Sequence, residues 1–428
     1  MLSWKVLIKP APAISLFLFA CFSMAAWGAG PWNLKALSKP PRTFPAASPQ
    51  AQGLRAFFYQ GPDWKGKPTR VFAWYGEPAR PASAKLPAMV LVHGGGGTAF
   101  ADWVKLWNDR GYAAIAMDTC GSAPSKGFGE PGSSENRPRN EFSGPPCWED
   151  SFSQLDLPPQ DQWSYHAIAG IVLANSLLRT FPHVDPKRIG ITGISWGGYL
   201  TALAAGIDSR FRFAAPVYGC GFLGEDSVWA PDFQRMGAAS ASRWLGLWDP
   251  SQYLKEAAMP MLWVAGTNDF AYPLDSLQKS YLLPHGPRFL SIRIRMPHSQ
   301  QDGETPQEIQ FLADQILKSG VPLPRLRSQG LKGPLAWATY SSKTAIVRAE
   351  LTFTLDTGPW KERVWRAVPA DMRGGKGKVT ATVPAGTAVY YFNFVDSRGL
   401  VISSPHSVLR HCAPAARPVA DGGMLIGL

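Results

Sequence analysis

Gly193-Ile194-Ser195-Trp196-Gly197-Gly198 is the stretch that decides the fold. It follows directly on the apolar run at 189–192 and opens a helical pattern at 196–207. A serine with glycines two before and two after sits on a sharp strand-to-helix turn that leaves no space for side chains. Its hydroxyl is then exposed at the carboxyl end of a sheet. The helix that starts there offers free backbone N–H groups and a positive dipole end, both of which favour a developing oxyanion. Ser195 is therefore the candidate nucleophile.

Working outward, short apolar runs without alternation recur at 89–92, 113–117, 213–218, 261–265 and 290–295. Such runs suit strands buried on both faces of a sheet. Helical patterns separate them, as at 163–181, and a closing helix is expected over 304–318. Strand–helix–strand alternation predicts a mostly parallel central sheet with helices on both faces, an α/β fold. Arg55 to Gln60 and residues 70–75 read as an antiparallel pair at one sheet edge. Two insertions, 119–160 and 222–256, are long enough to serve as a lid or substrate wall. The second carries Trp229, Trp244 and Trp248, which with Phe270 and Tyr272 are the candidate substrate-binding residues.

The architecture orders its triad as Ser, then acid, then His. Asp269 follows the run at 261–265, and His298 follows the run at 290–295, so both should emerge at the same sheet end as Ser195. The base would take the serine proton and the carboxylate would fix its tautomer. Asp275 and Asp302 compete for the acid, and His285 and His166 for the base. His93-Gly94-Gly95-Gly96-Gly97 ends the run at 89–92. Either Gly95 or Gly96 is expected to donate an oxyanion-hole N–H beside that of Trp196. His93 precedes the nucleophile and reads as packing beneath this loop.

Beyond Val321-Pro322-Leu323-Pro324, a linker, the runs turn β-like, with alternation clearest at 387–395 and turn residues between them. A small β-sandwich is expected over 326–410, followed by a tail at 411–428. The expected catalytic domain is 29–320. Residues 1–28 read as a signal peptide: Lys5 and Lys9, an apolar stretch at 13–26, then small residues that place cleavage near Ala25 to Gly28. That stretch is too short to span a membrane. Leu18-Phe19-Ala20-Cys21 only faintly matches a lipoprotein site, so anchoring at Cys21 is not expected. The implied location is secreted or periplasmic. There, Cys120, Cys147, Cys220 and Cys412 could pair, with Cys120–Cys147 preferred because it closes the first insertion. Each could equally be a buried free thiol.

The net charge is +12, and hydrophobic residues make up 45% of the 428-residue chain, which excludes a disordered protein. No basic run or nucleic-acid motif accompanies the charge, so no nucleic-acid partner is expected. Metal-ligand spacings and nucleotide-binding glycine patterns are also missing, so neither metal nor organic cofactor is expected.

The motifs resemble the α/β-hydrolase superfamily, in particular the branch of acetylxylan esterases, dienelactone hydrolases and prolyl-oligopeptidase-type domains. The residues that carry the likeness are 193–199, Asp185-Pro186-Lys187-Arg188-Ile189-Gly190, Gly266-Thr267-Asn268-Asp269 and Pro297-His298. Serine in place of cysteine at the nucleophile moves the chain away from dienelactone hydrolases. Only about 60 residues precede the sheet, too few for a peptidase propeller. The resemblance implies a serine carboxylic-ester hydrolase acting on an acylated carbohydrate or a small ester. An exported peptidase, with Glu225 and Asp226 holding a substrate amine, is the alternative, and a non-catalytic binding protein a third reading.

Overall fold

The computed structural model describes residues 30–78, 85–133, 137–373, 375 and 377–409. The expected signal peptide, Cys21, the tail at 411–428 and Cys412 lie outside them.

The apolar runs form a nine-stranded sheet. Its strands are β1 (Thr43–Pro45), β2 (Arg55–Gln60), β3 (Arg70–Gly76), β4 (Leu86–Val92), β5 (Ala113–Met117), β6 (Val184–Ile194), β7 (Ala214–Val217), β8 (Met261–Gly266) and β9 (Arg288–Arg293). Their spatial order is β1-β2-β3-β5-β4-β6-β7-β8-β9. From β5 to β9 every pairing is parallel, while β1, β2 and β3 add antiparallel strands at one edge. All seven residues of β4 and all five of β5 are buried. Covered on both faces, these strands need no polar alternation, which is why the unbroken apolar runs were decisive. The helices Trp163–Leu178 and Trp196–Ile207 pack against the sheet and against each other.

The C-terminal region adds β10 (Arg325–Lys332), β11 (Leu335–Ser341), β12 (Ile346–Thr354), β13 (Trp365–Pro369), β14 (Lys378–Thr382), β15 (Val389–Asp396), β16 (Val401–Ser403) and β17 (Ser407–Val408). They form two antiparallel sheets, β10-β11-β14 and β13-β12-β15-β16, with β17 also on β15. In β15 the period of two serves two cores. Tyr390, Phe392 and Phe394 enter the small core between the sheets, whereas Val389 and Tyr391 join the main core. Polar groups complete the junction at Ile292 of β9: its N–H donates to Ser403 Oγ (2.8 Å) and its carbonyl accepts from Asn393 Nδ2 (3.2 Å).

Several expectations need correction. The 222–256 insertion contains two helices, Ala230–Met236 and Ala238–Trp248. Trp244 and Trp248, four apart, put both indoles on one buried face. The closing helix is present as Gln307–Leu317 and starts only after Pro306, which supplies no backbone N–H, while a separate short helix, Gln300–Glu304, precedes it. β10 escaped notice because its residues are polar and largely exposed. The expected Cys120–Cys147 bridge is absent: Cys120, Cys147 and Cys220 are free thiols. Burial, and next the neighbouring Cys147 thiol, push the Cys120 thiol well above its usual range.

Candidate active site

Ser195 stands between β6 and the helix Trp196–Ile207 with φ 58° and ψ −121°. Left-handed backbone of this kind costs a non-glycine residue about 1–3 kcal/mol and persists only where its surroundings enforce it. Here they do. The Ser195 N–H donates to the Val217 carbonyl of β7 (2.9 Å). A Cβ on Gly193 would lie 2.2 Å from the Gly197 carbonyl oxygen, and one on Gly197 would lie 2.0 Å from that of Val92. The two glycines are thus required by the close approach of β4, β6 and the helix.

Three residues distant in sequence converge on the turn. His298 Nε2 is 2.8 Å from Ser195 Oγ, and His298 Nδ1 is 2.8 Å from Asp269 Oδ2. Asp269 is buried, and its other oxygen accepts the backbone N–H groups of Ala271 (2.9 Å) and Tyr272 (2.8 Å). These bonds fix the orientation of the carboxylate. Tyr218, immediately after β7, stacks on the His298 ring with centroids 4.5 Å apart, and Phe270 flanks it at 4.8 Å. In the tautomer with its proton on Nδ1 facing Asp269, the imidazole presents Nε2 as an acceptor toward the Ser195 hydroxyl.

The competing residues are occupied elsewhere. Asp302 accepts from the Ser299 hydroxyl (2.6 Å) at a helix start. Asp275 lies against Asp226, and its carboxyl is raised by burial and then by that neighbour. His285 is exposed on a surface loop. His166 Nε2 contacts the Gln160 carbonyl (2.9 Å), and burial pushes its pKa down to about 4.

The glycine loop lies beside Ser195. A Cβ on Gly94 would come within 2.9 Å of Ser195 Cβ, and one on Gly95 within 3.0 Å of the Trp196 indole. Gly96 has φ 67° and faces Ser133, and its carbonyl accepts from Arg137, itself paired with Glu130 (2.9 Å). His93 supports the loop from below: Nε2 accepts the Thr119 N–H (2.9 Å) and Nδ1 meets the Gly94 carbonyl (2.8 Å). Burial lowers its pKa, in keeping with a neutral structural ring. At the helix start, Tyr199 is the residue whose N–H reaches back to the Ser195 carbonyl (2.9 Å). The Trp196 N–H precedes it and has no such intrahelical acceptor.

The aromatic candidates divide. Trp244 and Trp248 are fully buried and cannot meet a ligand in this structure. Trp244 packs on Phe152 and Phe233, and Trp248 Nε1 donates to Gln162 Oε1 (2.8 Å). Trp229 and Tyr272 are also buried, in the layer beneath the site, with Trp229 4.5 Å from Trp196. Phe270 alone of the five is exposed, at 54%. The sequence reading missed Glu149, whose Oε1 accepts from the indoles of both Trp229 (2.8 Å) and Trp196 (3.2 Å). No local signal marks it, because the contact depends on how the first insertion folds over the second.

Residues 58–226 match the model of the acetyl xylan esterase (AXE1) family, less than half of the chain. An acetyl xylan esterase from Paenibacillus sp. R4 superposes with a TM-score of 0.50 at 21% identity, covering 62% of this chain and 87% of that one. Acetyl xylan esterase 1 from Thermoanaerobacterium sp. JW/SL YS485 gives 0.50 at 18% identity, covering 65% and 91%. A curated relative, the uncharacterized peptidase YuxL of Bacillus subtilis (strain 168), is 24% identical over 232 residues, half of this chain. The match spans only 30% of that relative's length.

Proposed function

We propose, for a chain that belongs to the α/β-hydrolase superfamily and is a serine ester hydrolase, that it deacylates an acylated carbohydrate through Ser195, His298 and Asp269. The observation that carries the mechanism is the unbroken hydrogen-bonded chain from Ser195 Oγ through His298 to Asp269. Ser195 Oγ attacks the acyl carbonyl while His298 Nε2 takes its proton. The oxyanion is held by the N–H of Trp196 and of Gly95, the loop glycine packed on Trp196. Collapse of the tetrahedral intermediate breaks the ester bond, and His298 returns the proton to the departing alcohol. Water, deprotonated by the same nitrogen, then attacks the acyl-enzyme and releases the acid.

The family match over 58–226 supports acetylated xylan or a similar polymer as substrate. A peptidase would need a free carboxylate for the substrate amine. Glu225, one of the two candidates for that role, is paired with Lys279. Export to the periplasm or medium is part of the same proposal and is supported by the sequence of residues 1–28.

The test is hydrolysis of p-nitrophenyl acetate, acetylated xylan and a peptide anilide by wild type and Ser195→Ala. Loss of the nucleophile should lower kcat by several orders of magnitude. Acetate release from xylan by wild type alone is the expected result. Undiminished activity of Ser195→Ala refutes the mechanism, and cleavage of the anilide but not the esters refutes the substrate class.

A further inference from the structure

Beside the triad acid lies a cleft of about 420 Å³ that the catalytic sheet region alone does not form. One wall comprises Asp226, Asp269 and Phe270, and the other comprises Trp360, Lys361 and Arg363 from the segment between β12 and β13. The volume is within the range of about 300–1,000 Å³ typical of small-molecule sites.

This segment is held in place. Asn268, next to Asp269 in sequence, donates through Nδ2 to the carbonyls of Lys361 (3.0 Å) and Arg363 (2.7 Å). The Arg363 guanidinium lies 3.7 Å from the Trp360 ring centroid, and its Nε donates to the Gly358 carbonyl (2.8 Å). Trp360 also meets His406 edge-on at 5.3 Å. The residue that precedes the catalytic acid therefore fastens a C-terminal loop, and with it an aromatic ring, to the mouth of the active site.

We infer that this cleft is a subsite for the saccharide that carries the scissile ester, so that the C-terminal domain recognises the alcohol half of the substrate. The inference rests on the carbohydrate-esterase reading above. Position is the first argument. The alcohol leaves with the proton of His298, and the half-exposed Phe270 connects the His298 ring to the cleft. Chemistry is the second. Asp226 brings negative charge and Lys361 and Arg363 positive charge to a cleft that also holds the rings of Phe270 and Trp360, which suits a neutral, hydroxyl-rich ligand better than a polyanion or a hydrocarbon.

The experiment compares kcat/KM on an acetylated xylo-oligosaccharide with kcat/KM on p-nitrophenyl acetate, whose alcohol is no sugar. Trp360→Ala should lower the ratio of the two by tenfold or more, mainly through KM for the oligosaccharide. The exposed Lys361→Ser, which spares the fold, should lower it by a smaller factor in the same direction. Ratios unchanged in both variants overturn the inference, as do equal losses on both substrates. Unacetylated xylo-oligosaccharide is also titrated by calorimetry into Ser195→Ala and into the Ser195→Ala, Trp360→Ala double variant. If wild type cleaves p-nitrophenyl acetate but no sugar ester, the substrate reading has failed. Binding weakened tenfold by the second substitution would then still support a saccharide cleft, and absence of binding would overturn it.

Discussion

Replacing Glu304 by Gln should stabilise the protein at alkaline pH and leave it nearly unchanged in acid. Glu304 ends the short helix after His298 and is largely buried, near Trp103, Trp107 and Arg110. Burial raises its pKa from 4.5 to about 7, with the Asp102 carboxylate pushing the same way and the Gln300 amide and Arg110 pulling against. Because the folded-state pKa is the higher one, the neutral carboxyl favours the fold below pH 4.5. That advantage is lost as the pH rises through about 7. At about 1.4 kcal/mol per unit, the full swing is about 3 kcal/mol. Gln keeps an oxygen for the Gln300 amide, which donates to Glu304 Oε1 (2.7 Å), and carries no charge at any pH. The assay is the difference in Tm between Glu304→Gln and wild type across pH 4 to 9. It should be near zero at pH 4, grow to several degrees in favour of the variant by pH 8, and then level off. A difference that does not vary with pH, or that favours wild type at pH 8, refutes the reasoning.

Gly197→Ala should abolish esterase activity and soluble expression together, since its Cβ would sit 2.0 Å from the Val92 carbonyl and 2.5 Å from that of His93; activity and yield in lysates check this. Asp249→Ala should destabilise the protein by several kcal/mol in chemical denaturation, because the N–H groups of Phe222, Leu223 and Ser251 lose their buried acceptor, at about 1–3 kcal/mol each. Trp248→Ala should cost about 3–5 kcal/mol of stability, with KM for acetylated oligosaccharide unchanged in the protein that remains folded, as a core residue requires.

The convergence of Ser195, His298 and Asp269 was legible because each is tied to a strand end. β6, β8 and β9 run parallel in one sheet, with β7 between the first two, so residues just past their carboxyl ends emerge at the same edge within reach of one another. Ser195, Asp269 and His298 are three such residues, and no knowledge of loops was needed to bring them together. His93 was legible as structural for the same reason: it ends β4, but on the wrong side of the nucleophile in sequence. The aromatic residues were not legible. A tryptophan in an insertion has two plausible fates, wall or core, and the period that would separate them runs through only one pair. Trp244 and Trp248 have helical spacing, yet helix burial depends on what the insertion folds against, here Phe152 of the other insertion and Gln162 just beyond it.

The same dependence explains why the C-terminal domain looked like an appendage in the sequence. Its alternating pattern at 387–395 announces a sandwich strand, which ordinarily has one buried and one solvated face. Seven of the eight residues of β15 are nevertheless buried, because its second face lies on the catalytic core. Asn268 extends that contact to the loop carrying Asp269, which is bounded on one side by β8 and on the other by the Lys361 and Arg363 carbonyls. A domain joined this way cannot move without disturbing the loop that positions Asp269. Removing it should therefore impair even the smallest ester substrate, whereas altering only Trp360 or Lys361 should alter the choice of alcohol.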